Sequence, residues 1–421
     1  MESKPRAALG FIFITVMLDM LAFGIIAPVL PRLISDFLHG NMARASEYMG
    51  LFVTTWALMQ FFFSPILGML SDRYGRRPVV LLSNFGLGLD YIVMALAPTV
   101  GWLFLGRVLS GITSSSMPTA NAYISDVTPP EKRAKAFGIF GAAFGIGFIL
   151  GPAIGGWLGA ISPRLPFWVA AGFSLLNATY GLFVLPESLP PEKRQAQLRW
   201  KNANPVGALK LLRSHHELFG LAIVNLLGYL AHEVYATVYV LYVSYRYGWN
   251  EKQIGTSLAV VGITSMIVAA GLVGPFVKWV GERKSLFTGL FLGGLGFFLF
   301  GYAPVGWIFM LAIVINAFWA LATPPSQSMM TRRVSASEQG ELQGAIGSMR
   351  GVAMIVGPLM FSSVFAFFVA PGHVLPGAPW YLAAALLGAA LVVAWIVAPK
   401  TAIQIAAPLT PEIVAEENPL T

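Results

Sequence analysis

The sequence predicts an all-α membrane protein with twelve transmembrane helices arranged as two six-helix bundles. Of its 421 residues 56% are hydrophobic and only 11% charged, with mean hydropathy +0.71, against roughly 25% charged residues in an ordinary soluble domain. The apolar residues gather in long runs, each near the roughly 20 that cross a bilayer as a helix. Lys and Arg crowd into alternate connections between those runs. In lipid, an open chain can satisfy its backbone polar groups only as helices.

The runs fall near 7–31, 48–70, 78–98, 101–124, 137–160, 166–185, 218–245, 253–277, 285–303, 306–328, 342–369 and 378–399. The first, in MESKPRAALGFIFITVML, has the basic start of a signal peptide but no small-residue cleavage site, so it reads as a retained helix. The seventh and eleventh are long enough to tilt or to include interfacial turns. Gly 44 and Pro 28 suit such helices, where Gly permits close packing and Pro is tolerated. The expected organisation is a bundle at 1–185, a linker at 186–217, a second bundle at 218–399 and a tail at 400–421.

One set of connections carries twenty Lys and Arg, and the other carries five: Arg32, Arg44, Arg164, Arg246 and Lys252. Positive charge marks cytoplasmic loops, so both termini and the 186–217 linker are expected in the cytoplasm. The net charge of +8 and pI near 9.6 are then topological, and the expected surroundings are a lipid bilayer with no nucleic acid. The absence of Cys removes disulfides, thiolate metal sites and Cys nucleophiles.

A shift of 206 residues aligns Ala97-Pro98 with Ala303-Pro304, Gly68 and Gly75 with Gly274 and Gly281, Pro118 with Pro324, Gly138 and Gly141 with Gly344 and Gly347, and Gly151-Pro152 with Gly357-Pro358. Chance alignment of Gly and Pro in apolar sequence is the alternative. Six helices per copy give both halves the same orientation, related by an axis along the membrane normal. The acid in GLGLDYIVMALAP, Asp90, has no counterpart in GLGFFLFGYAP, where Gly296 stands.

Between the second and third runs lies GMLSDRYGRRP at 68–78. Gly68 and Gly75 permit a tight turn, Asp72 can face a helix N-terminus, and Arg73, Arg76 and Arg77 supply partners and inside charge. The segment resembles motif A of the major facilitator superfamily, which implies a loop that shuts the cytoplasmic side in the outward-facing state; a plain basic loop is the alternative. Asp126, in ISDVTPPEKRAKAFG, joins this expected gate. The second copy, GPFVKWVGERK, has Lys278 in place of Asp72 and reads as degenerate. GFILGPAIGG at 147–156 is similar to motif C of the antiporter branch, with Gly147, Gly151, Gly155 and Gly156 as a smooth packing face and Pro152 as a bend; simple small-residue packing is the alternative. RVLSGITSS resembles motif B, with Arg107 and Gly111 in place and Ser115 where the family prefers Gly.

Asp19, Asp90 and Glu233 are the acids that fall inside runs, about 12 to 15 residues from their starts, hence about 18 Å deep or slightly more. Buried carboxylates face cavities, pair, or bind protons, and Arg107 and Arg350 are the intramembrane cations. Proton coupling is expected at Asp19, Asp90, Glu233 and Arg107. A static pair of Asp19 with Arg107, and a packing role for His232, are the alternatives.

Segments such as TVMLDMLAFGIIAPVLPRL, LDYIVMALAP, LGRVLSGIT and GELQGAIGS resemble the tetracycline-resistance efflux proteins. The resemblance places Asp19 and Asp90 on acids that family needs and Gln60 near its substrate path. His232, Arg350 and Asn225 join that expected path. Gly293 stands where the family has a ninth-helix acid, Ser265 where it has an eighth-helix histidine, and Glu233 where it has a glutamine, so coupling is expected to have moved to the seventh helix.

The expected function is proton-coupled antiport of amphipathic drugs in a bacterial inner membrane, with tetracycline-like compounds first and carried as a divalent-metal chelate in that case. Protons are the coupling ion, no cofactor or resident metal is expected, and one chain suffices. A proton symporter for a small organic solute, and a non-transporting receptor or scaffold, are the alternatives. The sequence has no G-x-x-x-x-G-K-S/T phosphate loop and no metal or nucleophile constellation, so it does not read as an enzyme.

Overall fold

The computed structural model describes residues 3–114, 116–194, 216–335 and 338–398. Most of the linker, the tail and Ser115 lie outside them. The first six helices are α1 (Ser3–Ile26, followed by a short helix Leu30–Phe37), α2 (Met42–Tyr74), α3 (Arg76–Leu96), α4 (Val100–Thr113 and Ser116–Val127), α5 (Pro130–Ile161) and α6 (Leu165–Val184). The second six are α7 (His216–Thr237 and Tyr239–Tyr247), α8 (Glu251–Val280), α9 (Glu282–Tyr302), α10 (Gly306–Ala317, continued to Thr323–Thr331), α11 (Gln339–Val369) and α12 (Ala378–Val397).

Among the described residues eleven stretches are long and apolar enough to cross a membrane. The remaining span, α4, was expected to be continuous over 101–124 and is broken after Thr113. The break falls in a hydroxyl-rich run, where side chains compete for backbone bonds; Thr113 Oγ1 donates to the Leu109 carbonyl at 3.0 Å. Pro118 stands in the first turn of the second piece, where a missing N–H costs least. α7 breaks at Val238 and α8 carries a π-helical turn, Val268–Leu272.

The repeat is visible in the helix ends. α9 begins and ends 206 residues after α3, and Gly75 (φ 109°) and Gly281 (φ 83°) make the turn before each, in a region that side chains other than Gly avoid. α12 follows α6 by 213, because the loop before it is longer.

Within the first bundle α1 packs on α5 and α6, α3 on α4 and α6, and α2 on α4; in the second, α7 packs on α11 and α12, and α9 on α10 and α12. α5 meets α8 and α2 meets α11 across the seam. The second core is aromatic: Trp380 touches Tyr239, Tyr242, Phe297, Phe300 and Phe309, with Phe300 and Phe309 rings 4.5 Å apart.

Among the described residues, the contacts that close the seam lie at one end. Away from the basic loops, Arg32 Nε meets Glu251 Oε1 at 3.2 Å, Ser46 Oγ donates to the Ser362 carbonyl at 2.9 Å, and Thr54 Oγ1 donates to the Ile355 carbonyl at 3.0 Å. Towards the basic loops, Gly68 of α2, Gly141 of α5, Gly274 of α8 and Gly347 of α11 face open space. The bundles form a V that opens at its basic end.

Candidate functional site

Asp90 and Arg107 form the innermost charged pair. Arg107 Nη2 donates to Asp90 Oδ2 at 2.7 Å, with the Asp90 side chain fully buried. Gly106 makes the approach possible, since a Cβ there would lie 2.5 Å from Asp90 Oδ1. Arg107 also touches Met94 Sδ at 3.3 Å. The alternative pairing of Arg107 with Asp19 is therefore replaced by Asp90, one α3–α4 contact away. Asp19, also buried, accepts from Asn177 Nδ2 at 3.3 Å, and Asn177 in turn accepts from Thr15 Oγ1 at 3.1 Å. The Tyr91 phenol lies within electrostatic reach of Asp90, Arg107 and Asp19. Asn177 and Tyr91 were missed in the sequence; an amide in an apolar run was the signal for the first.

Glu233 stands on the other side of the seam. It is half-buried on α7 over Gly357 of α11, where a Cβ would lie 2.6 Å from Glu233 Cβ and Cγ. It makes no ion pair among the described residues, and exposed Arg350, two turns along α11 from Gly357, acts electrostatically on it and on His232. The His232 ring faces Tyr235 and Trp319 at 5.7 and 5.9 Å. Gln60 of α2 is bonded within the first bundle, its Nε2 donating to Ser114 Oγ at 3.3 Å. Asn225 does not join this group. Its buried amide is spent on Leu221, Ser326 and Met330, at 3.0 to 3.1 Å, so it packs α7 on α10. Gly293 has no room for an acid: a Cβ there would lie 2.8 Å from Trp319 Cγ, and its carbonyl accepts from Asn316 Nδ2 at 3.0 Å.

At the basic end, Arg76 binds Asp72 and, at 3.1 Å, Asp126. The acid at the α3 N-terminus is Glu187, not Asp72: it accepts from the N–H groups of Arg76 at 2.8 Å and Arg77 at 3.3 Å, the donors a helix start leaves unpaired. Arg77 donates to the Leu182 carbonyl at 2.6 Å, and Arg73 lies over the Tyr74 ring. The second copy, with Lys278 at the Asp72 position, keeps one of these contacts. Glu282 and Arg332, each 206 residues after Arg76 and Asp126, form the same pair with the signs exchanged.

The glycines of 147–156 serve two faces. Gly147, Gly151 and Gly155 seat α1; a Cβ on Gly151 would lie 2.6 Å from Gly24 Cα. Gly156 instead seats α8 of the other bundle, with Gly255 Cα 2.9 Å from its would-be Cβ. Pro152 lies inside α5 beside Gly24.

A family model described as Major Facilitator Superfamily matches residues 12–358 and 221–412. The chain belongs to the major facilitator superfamily. Within it, the chain is 38% identical over 383 residues to the tetracycline resistance protein, class C, of Escherichia coli, covering 91% of this chain and 95% of that protein. It is 33% identical to the class B protein of Escherichia coli, over 87% of this chain and 89% of that one. The crystal structure of a D-xylose-proton symporter superposes with TM-score 0.76 at 16% identity, over 94% of this chain and 98% of that one, and shares the fold. As a major facilitator protein, this chain presents its V, open at one end, with buried charge in one bundle and a half-buried acid across the seam.

Proposed function

We propose that the protein is a proton-coupled antiporter of a bacterial cytoplasmic membrane that exports amphipathic aromatic drugs, tetracycline-like compounds first among them. The observation that carries the reading is the ion pair buried between α3 and α4, Asp90 with Arg107. A carboxylate at mid-bilayer costs about 2.5–3.5 kcal/mol even on the lenient insertion scale, and one held by an arginine can exchange that partner for a proton as the bundles move. The relatives named as tetracycline resistance proteins support the substrate class.

In this reading the basic end is cytoplasmic, so the V faces inward, and the bundles 1–185 and 218–399 rock about the cavity between them. Arg76, Asp72 and Asp126 gate its mouth. Glu233 supplies the second acid in place of one at Gly293, with His232, Gln60 and Arg350 along the drug path. Protons are the coupling ion, a tetracycline-like drug brings its own divalent cation as cargo, and a single chain performs the cycle.

Proteoliposomes with an imposed pH gradient test this against a panel of aromatic drugs that includes tetracyclines. Drug movement should follow the gradient, vanish in Asp90→Asn and lose its pH dependence in Glu233→Gln. Transport indifferent to the gradient would overturn the coupling, and unaltered coupling in Glu233→Gln would remove that residue from it.

A further inference from the structure

Two charges of opposite sign stand near one another in the second bundle and do not meet. Arg350 of α11 acts electrostatically on Glu233 of α7, yet among the described residues neither side chain is taken up in an ion pair or a hydrogen bond. Glu233 is half-buried and Arg350 is exposed. The face that Arg350 occupies is fixed by its neighbours. Gly351 receives Phe61 of α2, 3.1 Å from its would-be Cβ, and Gly357, two turns beyond Arg350 on the same face, receives Glu233. Arg350 therefore looks towards α7 beside the seam, into the V. Two turns of helix offset it from the level of Glu233 by about 10 Å.

Rings line the same place. His232, next to Glu233 in the chain, is exposed, and its ring lies 5.7 Å from Tyr235 and 5.9 Å from Trp319. Arg350 acts on His232 as well as on Glu233. Two glycines seat the indole of Trp319: a Cβ on Gly293 would lie 2.8 Å from its Cγ, and one on Gly228 3.6 Å from its Cζ2. This wall of the V thus carries a ring over Gly293, with an acid and a base to one side.

Charged groups at this depth in a membrane protein pair with one another or mark the path of a substrate. Glu233 and Arg350 are unpaired, so their partners have to come from outside. We propose that Glu233, Arg350, His232 and Trp319 form a binding site for an aromatic zwitterion, with its ammonium on Glu233, its anionic group on Arg350 and its ring system against His232 and Trp319. A singly charged molecule leaves one of the two side chains unanswered, which is the source of selectivity. A carboxylate cannot hold a proton and a ligand ammonium together, so at Glu233 each weakens the binding of the other. The inference rests on the drug path and the coupling role of Glu233 proposed above, and adds the charge pattern of the cargo.

Norfloxacin, which carries a piperazinium and a carboxylate at neutral pH, is the probe. Its ethyl ester keeps only the cation, and nalidixic acid supplies the anion alone. Equilibrium binding to the detergent-solubilised protein, without divalent metal, should favour norfloxacin over both by about tenfold or more, the worth of one charge-assisted hydrogen bond. Arg350→Gln should abolish the preference over the ester, and Arg350→Lys should keep most of it. Trp319→Leu should weaken norfloxacin and its ester alike, by roughly two- to tenfold, and leave the preference in place. The same preference in Arg350→Gln as in the parent overturns the proposal. So does a parent that binds the ester or the acid as tightly as norfloxacin, or binds none of the three, and this comparison decides alone should the glutamine variant fail to fold. Unweakened binding in Trp319→Leu overturns the ring contact. None of these measurements uses a gradient. A parent that binds norfloxacin with this preference but carries it indifferently to pH overturns the antiporter reading and leaves the site standing.

Discussion

The α3–α4 and α9–α10 pairs are the same two helices written twice, and they are held by different chemistry. In the first, Asp90 and Arg107 bridge the crossing, with Tyr91 and Met94 around them. In the second, 206 residues on, Gly296 stands at the Asp90 position and the Asn316 side chain takes the space, donating to the Gly293 carbonyl and accepting from Tyr235 Oη at 2.7 Å. Phe297 and Phe300 replace Tyr91 and Met94 and join the aromatic core around Trp380. Asp19 likewise corresponds to Asn225, which is bonded and neutral. The crossing can thus be built without charge, and a buried ion pair is a costly way to build it. An uncharged second crossing is what the coupling role proposed for the first pair requires.

Removing one partner from each pair tests that most severely. Arg107→Leu leaves Asp90 buried and uncompensated, at a cost of about 3–5 kcal/mol. Asn316→Leu strands a neutral Tyr hydroxyl and a carbonyl, at about 1–3 kcal/mol. Melting of the detergent-solubilised protein should rank them in that order. Asp90→Leu combined with Arg107→Leu should recover most of the stability and none of the gradient-driven transport. Equal melting of the double and single variants would show the pair to be a brace.

The helices, the repeat, motif A and the mid-membrane acids were all legible in the sequence, because each leaves a local mark: an apolar run, a fixed offset, a spacing, an isolated charge. The partners were not. Asn177 beneath Asp19 and Glu187 at the start of α3 come from over 100 residues away, and nothing in a one-dimensional pattern fixes which cation a buried acid meets. Asn225 misled for the same reason, since an amide in an apolar run looks alike whether it faces a cavity or a neighbouring helix. The sign-exchanged pair Glu282–Arg332 was hidden because the motif was judged residue by residue, whereas a contact survives when both signs change.

The glycine-proline positions of the two halves also differ, with a smaller effect. A Cβ on Gly151 meets the backbone of α1, 2.6 Å from Gly24 Cα, whereas on Gly357 it meets the root of the Glu233 side chain, 2.6 Å from its Cβ and Cγ, with the Leu230 carbonyl at 3.7 Å. Gly151→Ala should cost about 1–3 kcal/mol as an overpacked crossing and lower the yield of folded protein. Gly357→Ala, which meets a side chain and not backbone at that distance, should cost less than Gly151→Ala and alter transport through Glu233. If both variants fold equally well, the two crossings are looser than their distances indicate.

The closed end of the V depends on a weaker contact. Arg32–Glu251 is the one ion pair among the described residues that joins the bundles, and Arg32 is 43% exposed, so its removal is worth about 0.2–1 kcal/mol. The parent has no Cys, which makes labelling direct. Arg32→Gln should raise the rate at which Thr54→Cys is labelled from the closed end, by roughly the 1.4- to fivefold that such an energy allows. An unchanged rate would assign closure to the other contacts, the glycines of α5 and α8 and the α2–α11 hydrogen bonds.

The smallest effect concerns the two loops at the basic end. Arg76→Glu should lose the pairs with Asp72 and Asp126 and place a fourth acid among Asp72, Asp126 and Glu187. Adding Asp72→Lys and Asp126→Arg writes into the first loop the set that the second already holds, Lys278, Glu282 and Arg332. Partly exposed pairs of this kind contribute about 0–1 kcal/mol each, so the triple exchange should melt slightly above Arg76→Glu and match the parent in yield. Transport separates fold from gate. A triple variant that folds but exports poorly means the first loop must present its own signs to a partner across the mouth when the V closes, while full export means the pair only fastens α3 to α4 within its bundle.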